Sequence, residues 1–406
     1  MSQSRVAIIG GGAAGFFAAI TCAEAGAANV TILEKSPRFL SKVKISGGGR
    51  CNVTHACFDA RELAKHYPRG QRELIGPLKG FQPEDTVEWF RKRGVEMYTM
   101  DDGCLFPMSD SSQTVIDCFV QSAQAAGVKL RANAGVEAIS HDDGVFTLTL
   151  ASGEALQAEQ VLIATGGCRV PAMGALAVSL GHTLEPPVPS LFTFHLDVPW
   201  VRELAGIVVE PVEASGVGLS ETGILLFTHW GVSGPVVLRL SAWGARKIAE
   251  ADYHFPLTIN WLPEADVAAE LAARRESSPA KLVVNTPIAP LQARLWEALV
   301  IAAGIPRETR WSELSKAQQY ALVQQLIRTE LPVSGKTMNK DEFVTCGGVR
   351  LSEVDFKTMQ SRIVPGLYFA GELLDIDGIT GGFNFQCCWT TGWLAGNAMA
   401  ERAGAE

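Results

Sequence analysis

The first thirty-five residues alternate between apolar runs and glycine-rich breaks in the order strand, turn, helix, strand. An apolar run rich in strand-forming residues, 5–9, leads directly into the glycine-rich segment 10–15. A stretch with few helix breakers, 16–25, follows, and a second strand-like run, 30–33, comes after it. This succession predicts a β-α-β unit in which a tight turn joins the first strand to the helix.

The glycines of that turn have the GxGxxG spacing that accompanies dinucleotide binding. Gly10 permits the tight turn, Gly12 lets the backbone approach a pyrophosphate, and Gly15 lets the helix pack close to the strand. The pyrophosphate would lie at the helix N-terminus, where unpaired N–H groups favour anions. Glu34, nineteen positions after Gly15, suits an acid that accepts hydrogen bonds from an adenosine ribose.

Two other interpretations compete for the same stretch. Residues 6–25 are apolar enough to resemble a membrane span, and Ala23-Glu24-Ala25 resembles a signal cleavage site. Three consecutive glycines, 10–12, would interrupt a membrane helix or a signal core, so both interpretations are disfavoured.

A second glycine run, 46–49, follows a polar connection and cannot lie comfortably inside a helix or strand. Lys42, Lys44 and Arg50 surround it with positive charge, which would suit a phosphate. A surface loop without function is the alternative, although functionless loops of this length are uncommon.

Later strands continue the first pattern. Strand-like runs at 136–140 and 145–150 indicate a small antiparallel insert. A buried strand, 161–163, then runs into Ala164, Thr165 and Gly166, whose small side chains suit a backbone that passes near a ligand. An ordinary exit from a strand into a loop is the alternative.

The pattern of apolar and polar residues changes near three prolines at 186–189, which predict a domain boundary. Short strand-like runs, including 236–240, dominate to residue 262, and helical patterns dominate afterwards. The C-terminal part repeats the earlier style, with a strand that ends at Gly371-Glu372, glycines at 378–382 and an apolar helix from about Phe385. We therefore predict an α/β, Rossmann-type domain with an inserted β-rich and a small helical subdomain. The predicted boundaries are 1–189, 190–262, 263–335 and 336–406.

Composition narrows the class of protein. The chain has 406 residues, 47% hydrophobic and 19% charged, which is enough apolar mass for sizeable cores. Its net charge is -8 without a long basic run, so we expect no nucleic-acid partner. We also expect no membrane partner, because no further apolar stretch is long enough for a span. Nine cysteines without a CxxC pair indicate free thiols in a cytoplasmic protein, and no metal site is predicted.

Four segments resemble one flavoprotein family, the NAD(P)/FAD-dependent oxidoreductases of the aminoacetone-oxidase type. They are 10–15 (GGGAAG), 44–54 (KISGGGRCNVT), 227–235 (FTHWGVSGP) and 371–384 (GELLDIDGITGGFN). The resemblance covers nearly the whole chain. It implies a tightly bound FAD, with NAD(P)H docking transiently if it is the reductant.

The resemblance also implies which residues line the cofactor. Those expected along its nucleotide half are Gly10, Gly12, Ala13, Ala14, Gly15, Glu34, Lys35, Val136, Ala164, Thr165 and Gly166. Those expected elsewhere along the cofactor are Lys42, Gly49, Arg50, Cys51, Asn52, Gly371 and Glu372, and those expected near the flavin ring are Gly382, Phe383, Asn384 and Phe385. Glu372 replaces the aspartate that many FAD proteins carry, which lengthens the arm by one methylene.

Candidates for chemistry are fewer. His229 is a possible proton donor beside a flavin, and a histidine that satisfies a turn is the alternative. Arg50 would bind a cofactor phosphate or a substrate carboxylate, and Asn384 would adjoin the flavin ring. The predicted activity is hydride transfer between a small organic substrate and flavin N5. The alternatives are an NAD(P)H-dependent reductase of conjugated C=C bonds and an FAD-holding protein with an RNA-modifying or interaction role.

Overall fold

The computed structural model describes residues 5–27, 29–168, 171–337 and 344–405. The chain divides into two compact units, one formed by 1–189 with 340–406 and the other by 190–339. The finer division of the second unit at residue 262 stays a prediction.

The elements follow one another in three stretches of chain. The first contains β1 Arg5–Ile9, α1 Ala13–Glu24, β2 Asn29–Leu33, α2 Ser41–Gly49, β3 Thr54–His55, α3 Ala60–Ala64, α4 Gln71–Gly80, α5 Pro83–Arg91, β4 Met97–Thr99, β5 Cys104–Pro107, α6 Ser112–Ala125, β6 Lys129–Arg131, β7 Val136–Asp142, β8 Val145–Leu150, β9 Ala155–Ala158, β10 Gln160–Ile163, α7 Ala175–Ser179 and β11 Leu184–Ser190. The second contains β12 Thr193–Leu196, α8 Pro199–Glu203, β13 Val208–Gly216, β14 Leu219–Thr228, β15 Gly231–Ser233, α9 Pro235–Trp243, α10 Ala245–Glu250, β16 His254–Asn260, α11 Val267–Ser277, α12 Ala293–Ala302, α13 Lys316–Ile327 and β17 Thr329–Thr337. The third contains β18 Val344–Val349, β19 Val354–Asp355, β20 Gln360–Ser361, β21 Leu367–Phe369 and α14 Phe383–Ala405.

The first unit is built on a sheet with the strand order β19-β20-β21-β10-β1-β2-β6. Strands β21, β10, β1, β2 and β6 run parallel to one another, so their carboxyl ends meet at one edge of the sheet. Open α/β sheets bind ligands at that edge. The predicted α/β, Rossmann-type class is confirmed.

Helices α1 and α14 pack against each other along small residues. A Cβ on Gly392 would lie 2.8 Å from the carbonyl oxygen of Ala14, and one on Gly396 would lie 2.7 Å from that of Ala18. From the first contact to the second, the residue number rises by four in both helices, so the two helices run parallel. This close approach explains why glycines are retained inside a long helix despite their cost in helical stability.

We expect Gly396→Val to destabilise the protein by about 1–3 kcal/mol, because the added side chain must push α14 away from α1. Chemical denaturation of the purified protein measures the loss. Gly404→Val is the matched control on the same helix, since a Cβ there would meet no described atom within 4 Å. Equal stability of both variants would contradict the packing argument.

The second unit contains a closed barrel in the order β12-β15-β14-β13-β16-β17. Its core extends from the barrel to the helices, and Trp261, Trp296 and Trp311 are fully buried in it. The strand predicted at 236–240 is wrong, because those residues lie in helix α9, which begins with Pro235 at a position that favours helix initiation. A short apolar run does not distinguish a strand from a buried helix. Among the described residues, no helix is long and apolar enough to cross a membrane.

Candidate functional site

The turn between β1 and α1 needs its glycines for two different reasons. A Cβ on Gly10 would lie 2.3 Å from a carbonyl oxygen at the end of β10, and one on Gly15 would lie 2.0 Å from the Gly10 oxygen. A Cβ on Gly12 would meet no described atom within 4 Å, so this position faces open space. Helix α1 begins here with no side-chain cap and no acidic residue in its first turn. The first N–H groups, from Ala13 and Ala14 onward, can therefore bind an anion.

Glu34 lies at the carboxyl end of β2, fixed by the protein backbone. Its carboxylate oxygens accept hydrogen bonds from the N–H groups of Gly11 and Ser36, both at 2.8 Å. Lys35 is exposed beside it. A Cβ on the glycine before Val136 would lie 3.0 Å from the Lys35 Cβ, which brings the start of β7 to the same place. The structure thus brings together Glu34, Lys35 and Val136.

The end of β10 borders the first turn. The Ala164 N–H donates to the carbonyl oxygen of Ile9 at 2.8 Å, and the Ala164 carbonyl oxygen is the one that Gly10 approaches. Thr165 follows directly, and Gly166 has a φ of 79° with open space where a side chain would stand. The small residues predicted to border the site do adjoin the glycine turn.

The end of β21 reaches the same edge. A Cβ on Gly371 would lie 2.9 Å from the Ala14 Cβ, at the start of α1. The following residue, Glu372, has one carboxylate oxygen 2.5 Å from Lys42 Nζ and accepts a 3.0 Å hydrogen bond from the Thr345 N–H with the other. The Glu372 carboxylate is therefore held by the protein, and Lys42, almost half exposed, is held beside it.

The second glycine run forms a left-handed turn rather than regular helix. Backbone geometry departs from α2 at Ser46, and Gly47 and Gly48 have φ values of 56° and 67°. Gly48 and Gly49 have open space where side chains would stand, within the described structure. The left-handed backbone and the open space leave room for close approach of a ligand, and binding at this run stays a prediction.

Arg50 lies beside this turn. Its guanidinium lies 4.4 Å from the centre of the Phe106 ring, and Nη1 lies 3.8 Å from an oxygen of Asp110. The side chain is 40% exposed, and a surface pair of this length contributes little stability. Arg50 therefore remains able to turn toward a phosphate or a carboxylate.

Cys51 is a buried thiol rather than a reactive one. Burial raises its pKa to about 12, although a hydrogen bond with Ser46 lowers it in part. A thiolate is the reactive form, and almost none exists at neutral pH. Cys387 and Cys388, at the start of α14, are likewise kept protonated, because burial raises their pKa values.

We expect Cys51 to resist alkylation by iodoacetamide in the folded protein at neutral pH. Its thiolate fraction should be lower by about a thousandfold than that of a cysteine with an ordinary pKa. Mass spectrometry of tryptic peptides measures the labelling, and the same protein in denaturant is the control. Rapid labelling of Cys51 in the folded protein would show that the thiol is activated.

Asn52 joins the second glycine run to the start of α14. Its amide nitrogen donates to the carbonyl oxygens of Thr54, at 2.9 Å, and Leu105, at 3.2 Å. Its amide oxygen accepts a 3.2 Å hydrogen bond from the Gly382 N–H. A Cβ on Gly382 would lie 2.7 Å from the Thr54 carbonyl oxygen, so only glycine fits there.

The first turn of α14 is tied to the glycine run before it. Asn384 accepts a 2.8 Å hydrogen bond from the Gly378 N–H and donates to the Gly378 carbonyl oxygen at 2.9 Å. Phe383 is buried, and Phe385 stacks on Trp389 with ring centres 5.5 Å apart. The Asn384 amide shapes the loop, which leaves a direct role in chemistry as a prediction.

The loop before α14 depends on a buried ion pair that the sequence does not reveal. Arg69 makes two hydrogen bonds to the carboxylate of Asp377, one of them at 2.5 Å between Nε and Oδ1. The Asp377 side chain is fully buried, and that of Arg69 is 11% exposed. Tyr67 adds a 2.7 Å hydrogen bond to the Phe383 carbonyl oxygen. The two residues lie 308 positions apart, and their opposite charges are the only sign of the pair in the sequence. Sequence reasoning therefore did not predict it.

His229 lies in the other unit, at the turn between β14 and β15. The residue is exposed, as is its neighbour Trp230. Its assignment as a proton donor stays a prediction.

Comparison with known proteins identifies the family. Residues 4–398 match the family described as HI0933-like protein Rossmann domain. The chain is 32% identical over 403 residues to the ribosomal RNA dihydrouridine synthase of Escherichia coli K12, covering 97% of each protein. It is 32% identical over 425 residues to the 3-dehydro-bile acid delta(4,6)-reductase of Clostridium scindens, covering 98% of this chain and 100% of that protein.

Solved structures support the fold. The 3-ketosteroid delta1-dehydrogenase of Sterolibacterium denitrificans matches with a TM-score of 0.54 and 12% identity, over 99% of this chain and 100% of that one. The 3-ketosteroid-delta4-(5alpha)-dehydrogenase of Rhodococcus jostii matches with a TM-score of 0.52 and 16% identity, over 98% and 96%. The chain therefore belongs to the HI0933-like Rossmann-domain family and is an FAD-dependent oxidoreductase.

Proposed function

We propose that FAD lies along the carboxyl edge of the first unit's sheet, with its pyrophosphate at α1 and its flavin at α14. The supporting observation is a row of glycines whose missing side chains leave open space. Gly12, Gly49 and Gly166 each have no described atom within 4 Å of an added Cβ. Surface glycines such as Gly76 share this property, and these three are distinguished by their place beside the ends of β1, α2 and β10. Glycines that serve packing alone, such as Gly10 and Gly15, are instead crowded by backbone atoms.

The two helix N-termini are spaced to serve the two halves of such a cofactor. Ala14, the second residue of α1, packs beside the segment 388–392 of α14. Because α14 begins at Phe383, its N-terminus extends beyond that of α1 by roughly 6–12 Å at 1.5 Å per residue. One helix end would bind the pyrophosphate, and the other would stabilise negative charge on the pyrimidine edge of the flavin.

We further propose that the enzyme reduces a C=C bond conjugated with a carbonyl group. Bound FAD, once reduced, supplies a hydride from N5. The names of the two relatives described above, a dihydrouridine synthase and a delta(4,6)-reductase, describe reduction of such a bond. This shared chemistry favours the reductase over the general hydride transfer that the sequence predicts. NAD(P)H would dock transiently as the reductant.

Anaerobic stopped-flow mixing of the FAD-loaded enzyme with NADH or NADPH tests the direction of the reaction. We expect rapid bleaching of the flavin, followed by recovery of its colour on addition of a conjugated carbonyl compound. Slow bleaching by both nucleotides, with fast reduction by an amine such as aminoacetone, would instead support the oxidase to which the four segments point.

One observation favours an RNA substrate as the second candidate, contrary to our expectation from the net charge. Residues 35–79 contain ten Lys and Arg against three Asp and Glu, although the whole chain has a net charge of -8. Nine of the ten lie outside the buried pair of Arg69 with Asp377. Charge segregated in this way is an electrostatic footprint of nucleic-acid binding. A relative named for ribosomal RNA agrees with it.

Filter binding with an RNA hairpin that carries uridine in its loop tests this candidate. We expect the affinity to fall steeply as salt is raised, because released counterions drive phosphate contacts. Replacing the exposed Arg38, Arg61 and Arg72 together by glutamine should lower the affinity about tenfold or more at moderate salt. Binding that neither salt nor these changes affect would contradict an RNA role.

In keeping with nine free thiols, we propose a cytoplasmic location.

A further inference from the structure

A group of polar side chains borders the second glycine run of the first unit. It consists of Arg50, directly after that run, Tyr98 on β4, and Asp110, three residues after β5. The Tyr98 hydroxyl donates to Asp110 Oδ1 at 2.8 Å, and Arg50 Nη1 lies 3.8 Å from the same oxygen. Because β4 and β5 form an antiparallel hairpin, we call these three residues the hairpin cluster.

The Arg50 guanidinium is oriented by its surroundings. Its central carbon lies 4.4 Å from the centre of the Phe106 ring, and its Nε donates a long hydrogen bond, 3.4 Å, to the Gly47 carbonyl oxygen. Phe106 is buried, so its ring is a fixed support for the guanidinium. Arg50 Nη2 makes no hydrogen bond to the residues that the structure describes, so this end of the guanidinium is available to a ligand as a donor.

Asp110 offers an acceptor beside that donor. Its N–H donates to the Pro107 carbonyl oxygen at 2.8 Å, which fixes the backbone of the loop. Tyr98 and Arg50 both approach Oδ1, and Oδ2 makes no hydrogen bond within the described part of the chain. The Asp110 side chain is 55% exposed, so a ligand can reach Oδ2 from solution. The hydrogen bond to Asp110 raises the pKa of Tyr98, so the phenol stays protonated and orients the carboxylate.

The hairpin cluster lies in the same unit as the proposed flavin site, and contacts connect the two. Phe106, which supports Arg50, follows Leu105 on β5. The Leu105 carbonyl oxygen accepts a 3.2 Å hydrogen bond from Asn52, whose amide oxygen accepts a 3.2 Å hydrogen bond from the Gly382 N–H. Gly382 directly precedes α14, where we place the flavin.

A free acceptor beside a free donor matches a ring in which an N–H adjoins a C=O group. The carboxylate accepts from the ring N–H, the guanidinium donates to the carbonyl oxygen, and both hydrogen bonds are charge-assisted. A phosphate or a carboxylate suits the pair less well, because the charge of Asp110 repels an anion. A simple cyclic enone has no N–H. Uracil has an N–H between two carbonyl groups and a C=C bond conjugated with one of them.

We propose that the hairpin cluster recognises the imide edge of uracil, with Asp110 Oδ2 accepting from the ring N–H and Arg50 donating to an adjacent carbonyl oxygen. Tyr98 is a positioning residue that orients the carboxylate. Reduction of the ring rests on the proposed function, and the choice of uracil agrees with its RNA candidate. The cluster itself rests on the contacts of its three side chains. Free uridine and an unstacked uridine in an RNA loop share this edge.

Equilibrium titration of the oxidised, FAD-loaded enzyme tests this recognition without turnover. The ligands are uridine and 3-methyluridine, each as the free nucleoside and as the one loop uridine of an RNA hairpin, at a salt concentration that suppresses non-specific phosphate contacts. We expect the methylated form to bind about tenfold or more weakly, the effect of losing one hydrogen bond to a charged group. A preference in both formats would show that the nucleoside suffices, and one in the hairpin alone would identify RNA as the source. Equal affinities in both formats, or no binding at all, would overturn the proposal.

Asp110→Ala removes the acceptor and should reduce the preference for uridine over 3-methyluridine to about onefold. Asp101→Ala is the matched control, because Asp101 is an exposed acid in the turn of the same hairpin and should leave the preference intact. A ratio of two affinities for one protein is not changed by a partial loss of folded enzyme. A preference that survives in Asp110→Ala, or that falls equally in both variants, would overturn the assignment of Asp110.

Together with the stopped-flow experiment, these titrations separate the site from the proposed function. If conjugated carbonyl compounds reoxidise the reduced flavin but uridine and 3-methyluridine bind equally, the imide site is overturned and the reductase stands. If no such compound reoxidises the flavin but the preference is present and is lost in Asp110→Ala, the reductase is overturned and the imide site stands.

Discussion

Gly12→Val is expected to give a folded protein that purifies without flavin. Gly12 has φ and ψ of -93° and -168°, an extended conformation that valine adopts readily. An added Cβ there would meet no described atom within 4 Å, so the protein itself tolerates the side chain. The valine would instead fill the space in which the pyrophosphate must approach the backbone.

The expected loss is at least about a hundredfold in FAD affinity, equal to about 2.7 kcal/mol. Flavin absorbance per protein and calorimetric titration of the apoprotein with FAD measure it. Gly76→Val is the matched control, because this exposed glycine of α4 also has open space around its Cβ position and should keep its flavin. Gly15→Val should fail to fold, since its Cβ would lie 2.0 Å from the Gly10 oxygen. A yellow Gly12→Val protein with wild-type affinity would contradict the assigned pyrophosphate position.

Arg69→Met is expected to lower the stability of the protein by about 3–5 kcal/mol, because it leaves the carboxylate of Asp377 buried without its cation. Asp377 is fully buried, and the pair holds the loop that leads into α14. The melting temperature of the first unit should fall by roughly 10 °C, and FAD affinity should fall with it. Differential scanning calorimetry with and without added FAD measures both effects.

Two further variants make this result specific to the ion pair. Arg72→Met changes a nearby exposed arginine of α4 and should alter the melting temperature little. Adding Asp377→Asn to Arg69→Met removes the buried charge and should recover part of the loss. If Arg69→Met melts at the same temperature as Arg72→Met, the pair does not hold the loop.

Local chemistry made the nucleotide half of the site predictable from sequence. Gly10, Gly12 and Gly15 act through backbone conformation and the absence of a side chain. Both properties follow from the residue type alone, so the sequence shows them directly. Glu34 follows a strand that the apolar pattern predicts, so its place at the edge of the sheet follows from the topology. The start of α14 was predicted within two residues because a glycine run precedes an apolar helix.

Long-range pairing placed the remaining features beyond the reach of sequence reasoning. Arg69 and Asp377 meet across 308 positions, and the contact of Asn52 with Gly382 joins two segments just as distant. The bulge between His195 and Leu196 likewise brings Ser334 within 3.5 Å of His195, across 139 positions. The strand propensity of residues 236–240 gave a wrong prediction, because the preceding proline and burial in the core favour a helix there.

The most direct test of the account is the identity of the cofactor that the purified protein carries. We predict a yellow protein that releases one FAD per chain on denaturation, identified by its visible spectrum and its mass. A colourless protein that takes up no FAD on incubation would contradict the cradle formed by the two glycine runs and the ends of α1 and α14.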